Sequence, residues 1–71
     1  MLKTSIVIRH LLTNEYIKSC TDETFYTDED VENATEFNNK QEAFNYIFEN
    51  KDKFEGQKLE LVEICYFTYR Y

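Results

Sequence analysis

The stretch NKQEAFNYIFENKDKFEG, residues 39–56, has both the boundaries and the periodicity of one amphipathic helix. Asn39 and Glu42 are spaced as in a capping box, where two side chains satisfy backbone amides at a helix start. Gly56 is the only glycine in the chain, and glycine readily takes the left-handed conformation that ends a helix. The sequence therefore predicts a helix over about residues 40–54.

At 100° per residue, the apolar side chains of this helix fall on one side. That side comprises Ala43, Phe44, Ile47, Phe48, Lys51 and Phe54, where the stem of the lysine can lie along the apolar stripe. The other side is polar and comprises Glu42, Asn45, Glu49, Asp52 and Lys53. An apolar stripe must be buried against another element, so a second layer is expected beneath the helix.

Segments N-terminal to the helix are rich in the β-branched and aromatic residues typical of strands. Residues 2–12 and the segment Glu15–Cys20 flank Thr13 and Asn14, which have turn chemistry. This pattern predicts an N-terminal β-hairpin. The segment 24–27 is predicted to form a short third strand.

The C-terminal segment, residues 59–71, is predicted to be a further strand. Its alternation changes phase near Leu61 and Val62, which indicates either a bulge or a central strand covered on both faces. We therefore expect an α+β fold, with a small antiparallel sheet (N-terminal hairpin plus C-terminal strand) packed against one amphipathic helix. At 71 residues, residues 1–71 are expected to form a single α+β domain.

The charge of the chain is concentrated in residues 22–36, which contain seven carboxylates and no basic residue. The seven are Asp22, Glu23, Asp28, Glu29, Asp30, Glu32 and Glu36. The whole chain has 14 acidic and 8 basic residues and a net charge of −6, so the remainder is close to neutral. Such a surface attracts cationic partners and repels nucleic acid and anionic membranes. The nearest cations in the sequence, Lys18 and Lys40, lie outside the segment.

The second half of this acidic segment is predicted to form a short helix or tight loop. Thr27 can cap the amides of a following helical turn. The acids after it would be stabilised by the partial positive charge at the start of that turn. Val31, Ala34 and Phe37 recur every three residues, which suits one or two helical turns held against the core. The carboxylates would then point away from that apolar stripe.

No pattern in the sequence predicts an enzyme. We expect no catalytic residues, no cofactor and no metal site. His10 with Cys20 and Cys65 gives only three ligands without local spacing, whereas zinc sites use about four. The acids from Asp28 onward begin like a calcium loop but lack its glycine and its final glutamate. Without a signal peptide or a spanning apolar run, the chain is expected to be cytoplasmic with reduced cysteines.

The acidic segment predicts a binding function, namely imitation of a nucleic acid backbone. Duplex DNA carries one charge per ~1.7 Å of its axis, and seven carboxylates along a helix of this length would reach a little over half that density. The predicted partner is the basic DNA-binding surface of another protein, and a dimer with two such segments would approach the full density. The alternative is that the acids serve solubility alone.

An aromatic C-terminal end offers a second candidate contact surface. Aromatic residues are enriched at interface cores, and a strand that pairs with its symmetry mate gives an isologous dimer. The predicted homodimer interface comprises Ile64, Tyr66, Phe67, Tyr69 and Tyr71. The alternatives are burial of this strand beneath the helix, and a small interaction module that binds other proteins through it.

In size, acidity and lack of catalytic motifs, the chain resembles the small host-takeover and anti-defence proteins of bacteriophages. Its abundance of Asn, Lys, Ile, Tyr and Phe is similar to that of products of AT-rich genomes. Several such phage proteins are DNA mimics, including inhibitors of the histone-like protein HU, of uracil-DNA glycosylase and of CRISPR nucleases. This resemblance implies a DNA-mimic inhibitor in the cytoplasm of a bacterial host, and it implies dimerisation. It covers the general character of the chain and assigns no residue a role.

Overall fold

In the computed structural model, which describes residues 2–67, a four-stranded antiparallel sheet carries one helical layer on one face. The sheet order is β3-β2-β1-β4. In chain order the elements are β1 (Leu2–His10), β2 (Glu15–Cys20), β3 (Phe25–Asp28), a 3-10 helix (Val31–Asn33), α1 (Lys40–Glu49), α2 (Lys51–Phe54) and β4 (Leu59–Phe67). The predicted α+β fold is confirmed.

Strand β1 pairs with its two neighbours to very different extents. It matches β4 at every position from Leu2↔Phe67 to His10↔Leu59. It pairs with β2 only at Arg9↔Tyr16 and His10↔Glu15, beside the predicted turn, where Asn14 has a positive φ of 59°. Beyond those two pairs the hairpin strands diverge, and another segment fills the gap.

Residues 35–37 fill this gap as a wedge between β1 and β2. Ile6 and Phe37 exchange two backbone hydrogen bonds of 2.8 Å each, and the Thr35 amide donates to the Ile17 carbonyl at 3.2 Å. The Thr35 hydroxyl donates to the Lys18 carbonyl at 2.5 Å. The end of the acidic segment is therefore hydrogen-bonded to both hairpin strands.

The core lies between the helices and the sheet. Its buried members are Ile6, Ile8, Ile17, Ala43 and Phe54. Aromatic rings extend it, since Phe25 packs against Phe54 and Phe37 against Tyr46, both with ring centroids 5.2 Å apart. Phe37 therefore anchors the wedge to the helix as well as to β1.

The predicted caps of the helix are confirmed, and its length is corrected. The Asn39 Oδ1 atom accepts from the Glu42 amide, and Glu42 Oε2 accepts from the Asn38 amide, both at 2.9 Å. Gly56 has a φ of +78°. The predicted single helix is two, because Asn50 departs from helical geometry with a ψ of 24° and separates α1 from α2.

The predicted apolar face of the helix is partly wrong. Phe44 and Phe48 are 56% and 68% exposed, whereas Tyr46, which was outside the predicted stripe, packs against the core. Phe44 and Phe48 lie 100° and 140° around the helix from Ala43 at 100° per residue, beyond what the sheet below covers. The Lys51 ammonium sits 4.8 Å from the centroid of the Phe48 ring.

Two further predictions are corrected. Thr27 does not cap a helix; it lies in β3 and its hydroxyl donates to Glu15 Oε1 at 2.5 Å, while Asp30 caps the 3-10 helix. Strand β4 is neither bulged nor central, because its register with β1 is unbroken and it forms one edge of the sheet. Its phase change arises because Leu61 faces the helices while Val62 lies on the opposite face, and strand neighbours alternate.

Replacing Phe54 and Phe48 separately by alanine tests the corrected helix orientation. Phe54 is 5% exposed and Phe48 is 68% exposed, so Phe54→Ala should lower the free energy of unfolding by about 3–5 kcal/mol. Phe48→Ala, the matched control, should change it by less than about 1 kcal/mol when both proteins are measured at a concentration low enough to be monomeric. Urea denaturation followed by circular dichroism measures both. Equal losses would contradict this orientation.

Candidate functional site: the acidic segment

The seven carboxylates of residues 22–36 occupy three places: the two ends of β3, which is the short edge strand, and the wedge between β1 and β2. Asp22 and Glu23 lie in the turn between β2 and β3. The densest group runs from Asp28, the last residue of β3, to Glu32 in the 3-10 helix, and Glu36 lies in the wedge. The segment is thus mostly extended and looped, with a single helical turn of three residues.

The turn that presents Asp22 and Glu23 is fixed by a threonine. The Thr21 hydroxyl oxygen accepts from the Glu23 amide at 3.3 Å and from the Thr24 amide at 3.2 Å. The Thr21 amide donates to the Thr24 carbonyl at 2.8 Å. Asp22 and Glu23 are both exposed, so their carboxylates project from an ordered turn.

At the other end of β3, Asp28 and Asp30 form the loop itself. Asp28 Oδ1 accepts from the Asp30 amide at 2.8 Å, and its Oδ2 accepts from the Asn33 side-chain amide at 3.3 Å. Asp30 Oδ1 accepts from the Glu32 amide at 2.9 Å and caps the 3-10 helix. These two carboxylates therefore accept hydrogen bonds from within the loop and stabilise its conformation.

Hydrogen bonds hold the pKa of Asp28 below its ordinary value. The largest cause is the Asp30 amide, followed by the Asn33 side chain, and nearby Lys18 acts in the same direction, while partial burial opposes them. The carboxylate form is favoured because these donors bond to the charged oxygens. Asp28 is consequently an anion throughout the neutral pH range.

Lys18 corrects the charge map derived from the sequence. It precedes the acidic segment, but β2 pairs with β3 and brings its ammonium to 4.0 Å from Asp28 Oδ2. The lysine side chain is 53% exposed, so water screens much of this attraction. It offsets part of one charge out of seven.

Glu29 and Glu32 are the members of the dense group best placed to meet a partner. Both are exposed, and neither side chain takes part in the loop bonds of Asp28 and Asp30. Nothing in the sequence distinguishes these four acids from one another. The structure divides them into two that form the loop and two that the loop presents.

The predicted aromatic contact surface falls on β4 and beyond it. Ile64 is half-buried, and Tyr66 and Phe67 pair through their backbones with Lys3 and Leu2. Tyr69 and Tyr71 lie outside the described residues. The homodimer interface therefore remains a prediction.

Sequence reasoning missed a second exposed surface beside β4. A shallow groove between α1 and β4 is lined by Lys40, Phe44, Ile47, Leu59, Glu60 and Leu61. Phe48 continues its aromatic side along the helix. The sequence did contain a signal for this surface, namely that the apolar residues span a wide angle around the helix. Ala43 and Phe48 are too far apart around the helix for one sheet face to bury both.

The chain's histidine is buried, whereas one of its cysteines is half-buried and the other is exposed. His10 is 5% exposed, its Nδ1 accepts from the Thr13 amide at 3.4 Å, and its Nε2 donates to Gln57 Oε1 at 2.6 Å. Cys20 and Cys65 are both free thiols. Burial, and to a lesser extent the Cys20 thiol, raise the pKa of the Tyr46 hydroxyl.

Residues 2–67 contain no helix that is long and apolar enough to cross a bilayer.

Comparisons with known proteins do not assign a function to the chain. No protein-family model matches the chain, and neither the curated proteins nor the solved structures contain a significant match.

Replacing Asn33 by alanine tests the loop that organises the dense acidic group. This change removes one donor to Asp28, so the pKa of that carboxyl should rise towards its ordinary value of about 3.9. A group with a lowered folded pKa stabilises the fold above its unfolded pKa, and this contribution disappears as the pH falls through its folded pKa. NMR titration of the Asp28 carboxyl carbon measures the pKa in both proteins. A native pKa at or above the ordinary value would contradict the described hydrogen bonds.

Proposed function

We propose that the chain is an acidic DNA-mimic protein that binds and blocks the cationic DNA-binding surface of a host protein, such as a nucleoid-associated protein or nuclease. It acts in the bacterial cytoplasm, binds no nucleic acid itself and catalyses no reaction. The supporting observation is that two groups of carboxylates, most of them exposed, lie at the two ends of β3, presented by a hydrogen-bonded turn and a hydrogen-bonded loop.

The charge spacing fits a phosphate backbone better in this extended form than in a helix. Strand β3 has four residues, or roughly 14 Å at 3.4 Å per residue, and the flanking turn and loop bring the charged edge to about 20 Å. Six carboxylates lie along that length, since Glu36 is in the wedge on the far side of β2, and they give a mean of about one charge per 3.3 Å. One strand of DNA carries one phosphate per 3.4 Å, so the mean charge density of this edge is close to that of a single backbone, with the carboxylates grouped at the two ends of β3.

Order in the acidic segment favours binding. Asp28 and Asp30 fix the loop, and the wedge ties its end to β1 and β2. A partner therefore does not have to order this backbone when it binds, and the entropic cost of association is lower. A cationic partner also relieves the mutual repulsion of the clustered carboxylates.

Clustering of the acids also supports a binding role over solubility alone. The segment holds seven of the 14 acids, leaving seven acids against 8 bases elsewhere. Solubility is served by charges of both signs spread over the surface. Charges of one sign on one edge instead produce a local field that accelerates association with a basic partner.

A second candidate function is a small interaction module that binds other proteins through the C-terminal strand, with the acids serving solubility. The observation that favours it is the edge position of β4, since an open strand edge can accept another strand. In that case binding depends on β4 and not on the carboxylates around β3.

Charge reversal at Glu29 and Glu32 separates the two functions without disturbing the loop. The variant Glu29→Lys/Glu32→Lys should lose at least tenfold in affinity for basic DNA-binding proteins, because it places two cations where the partner is cationic. The matched control is Glu49→Lys/Glu55→Lys, at two exposed positions on and just after the helices. Both variants carry a net charge of −2, since each replacement adds two charges.

The measurement is retention of proteins from a bacterial lysate on each immobilised variant, with elution by a salt gradient and competition by duplex DNA. The native chain and the control should retain basic proteins that DNA displaces, with a steep dependence on salt. Equal retention by Glu29→Lys/Glu32→Lys would contradict the mimic and favour the β4 module.

A further inference from the structure

The two edges of the sheet are protected to different degrees. β3 has four residues, its partner β2 shifts register between Ile17 and Ser19, and acids flank it. β4 has nine residues, contains no Pro or Lys, and keeps an unbroken register with β1. Within residues 2–67 nothing pairs with its outer edge. Long regular edges promote pairing with another chain, and proteins that remain monomeric usually block them.

We propose that a second copy of this chain occupies the β4 edge, with the two β4 strands antiparallel about a twofold axis perpendicular to the sheet. The result is one eight-stranded sheet that carries both helical layers on the same face. This inference does not depend on the proposed function, because the acidic segment lies around the opposite edge.

The exposed aromatic residues fit this occupant. In the pair, the two β1 strands lie three strand spacings apart, or about 14 Å. α1 packs over β1, and a helix with its side chains has a radius of about 5–6 Å. The two copies of α1 would thus run antiparallel with Phe44 and Phe48 in the narrow space between them, where each ring is removed from water.

The exposed stripe of the helices carries charges of both signs. A twofold axis that places Phe44 beside Phe48 of the second copy brings Lys40 towards Asp52 of that copy. Lys40 and Asp52 are both exposed in the single chain. Lys51 lies over Phe48, and Lys53 lies 3.8 Å from Asp52 in the same chain, so the β4 edge and the aromatic rings, rather than charge, favour the pair.

The surface available is adequate for a dimer. A Phe side chain can bury about 150–250 Å², so the exposed parts of four rings supply roughly 500 Å². That is about a third of a standard interface of ~1,600 Å². The paired strand edges supply the remainder together with backbone hydrogen bonds.

Two glutamates in β4 restrict the register. Centring the strands on Glu63 would set two carboxylates directly opposite, which is unfavourable. Centring them on Val62 sets Glu63 opposite Leu61 and keeps both helical layers on the same side of the sheet. We therefore place the twofold axis at Val62.

Cysteine cross-linking tests both the dimer and its register. In a Cys20→Ser/Cys65→Ser background, Val62→Cys should form a disulfide between copies under mild oxidation, because the two residues lie directly opposite. Ile64→Cys is the matched control on the same strand face, and its two copies would be four residues out of register. Cross-linking through residue 64 but not 62 would overturn the proposed pairing.

Analytical ultracentrifugation supplies the second readout. The native chain should sediment with twice the mass of one chain, and Phe44→Asp/Phe48→Asp should become monomeric with its circular dichroism unchanged. Tyr26→Asp, at a 51% exposed aromatic on the other edge strand, should stay dimeric, as should Glu29→Lys/Glu32→Lys. A monomeric native chain at 100 µM, or a dimer that survives Phe44→Asp/Phe48→Asp, would overturn the proposal.

Discussion

The wedge of residues 35–37 between β1 and β2 is the contact on which the rest of the structure depends. Without it, the diverging hairpin strands would leave the amide and carbonyl of Ile6 buried and unpaired, which is costly. Phe37 satisfies both groups and packs its ring against Tyr46. The same three residues therefore complete the sheet, seat the helix and end the acidic segment.

This arrangement explains how a 71-residue chain can gather six like charges at the two ends of one edge strand. Clustered carboxylates repel one another, and the loop counters this by directing Asp28 and Asp30 at backbone and side-chain donors. The energy of these local bonds stabilises a conformation in which Glu29 and Glu32 face solvent. Asp28 and Asp30 thus stabilise the loop, whereas Glu29 and Glu32 are exposed to a partner. The proposed mimicry concerns the exposed acids.

Elements set by local chemistry could be predicted from the sequence. The caps at Asn39 and Gly56 and the strand Glu15–Cys20 were confirmed because each depends on residues close in the chain. Features set by distant contacts could not. The exposure of Phe44 depends on where the sheet ends, and the approach of Lys18 to Asp28 depends on the pairing of β2 with β3. The sequence predicted the negative charge of the candidate site. It did not predict which of the acids form the loop and which are exposed.

The wedge also hydrogen-bonds the end of the acidic segment to β1 and β2, and the proposed binding mode depends on these bonds holding in solution. Native-state amide hydrogen exchange tests it most directly, because amides bonded within the core exchange only on global unfolding. The amides of Ile6, Thr35 and Phe37 should be protected to the same free energy as those in the centre of the β1–β4 ladder. Exchange of Thr35 and Phe37 on the timescale of an open loop, with the ladder still protected, would contradict the account.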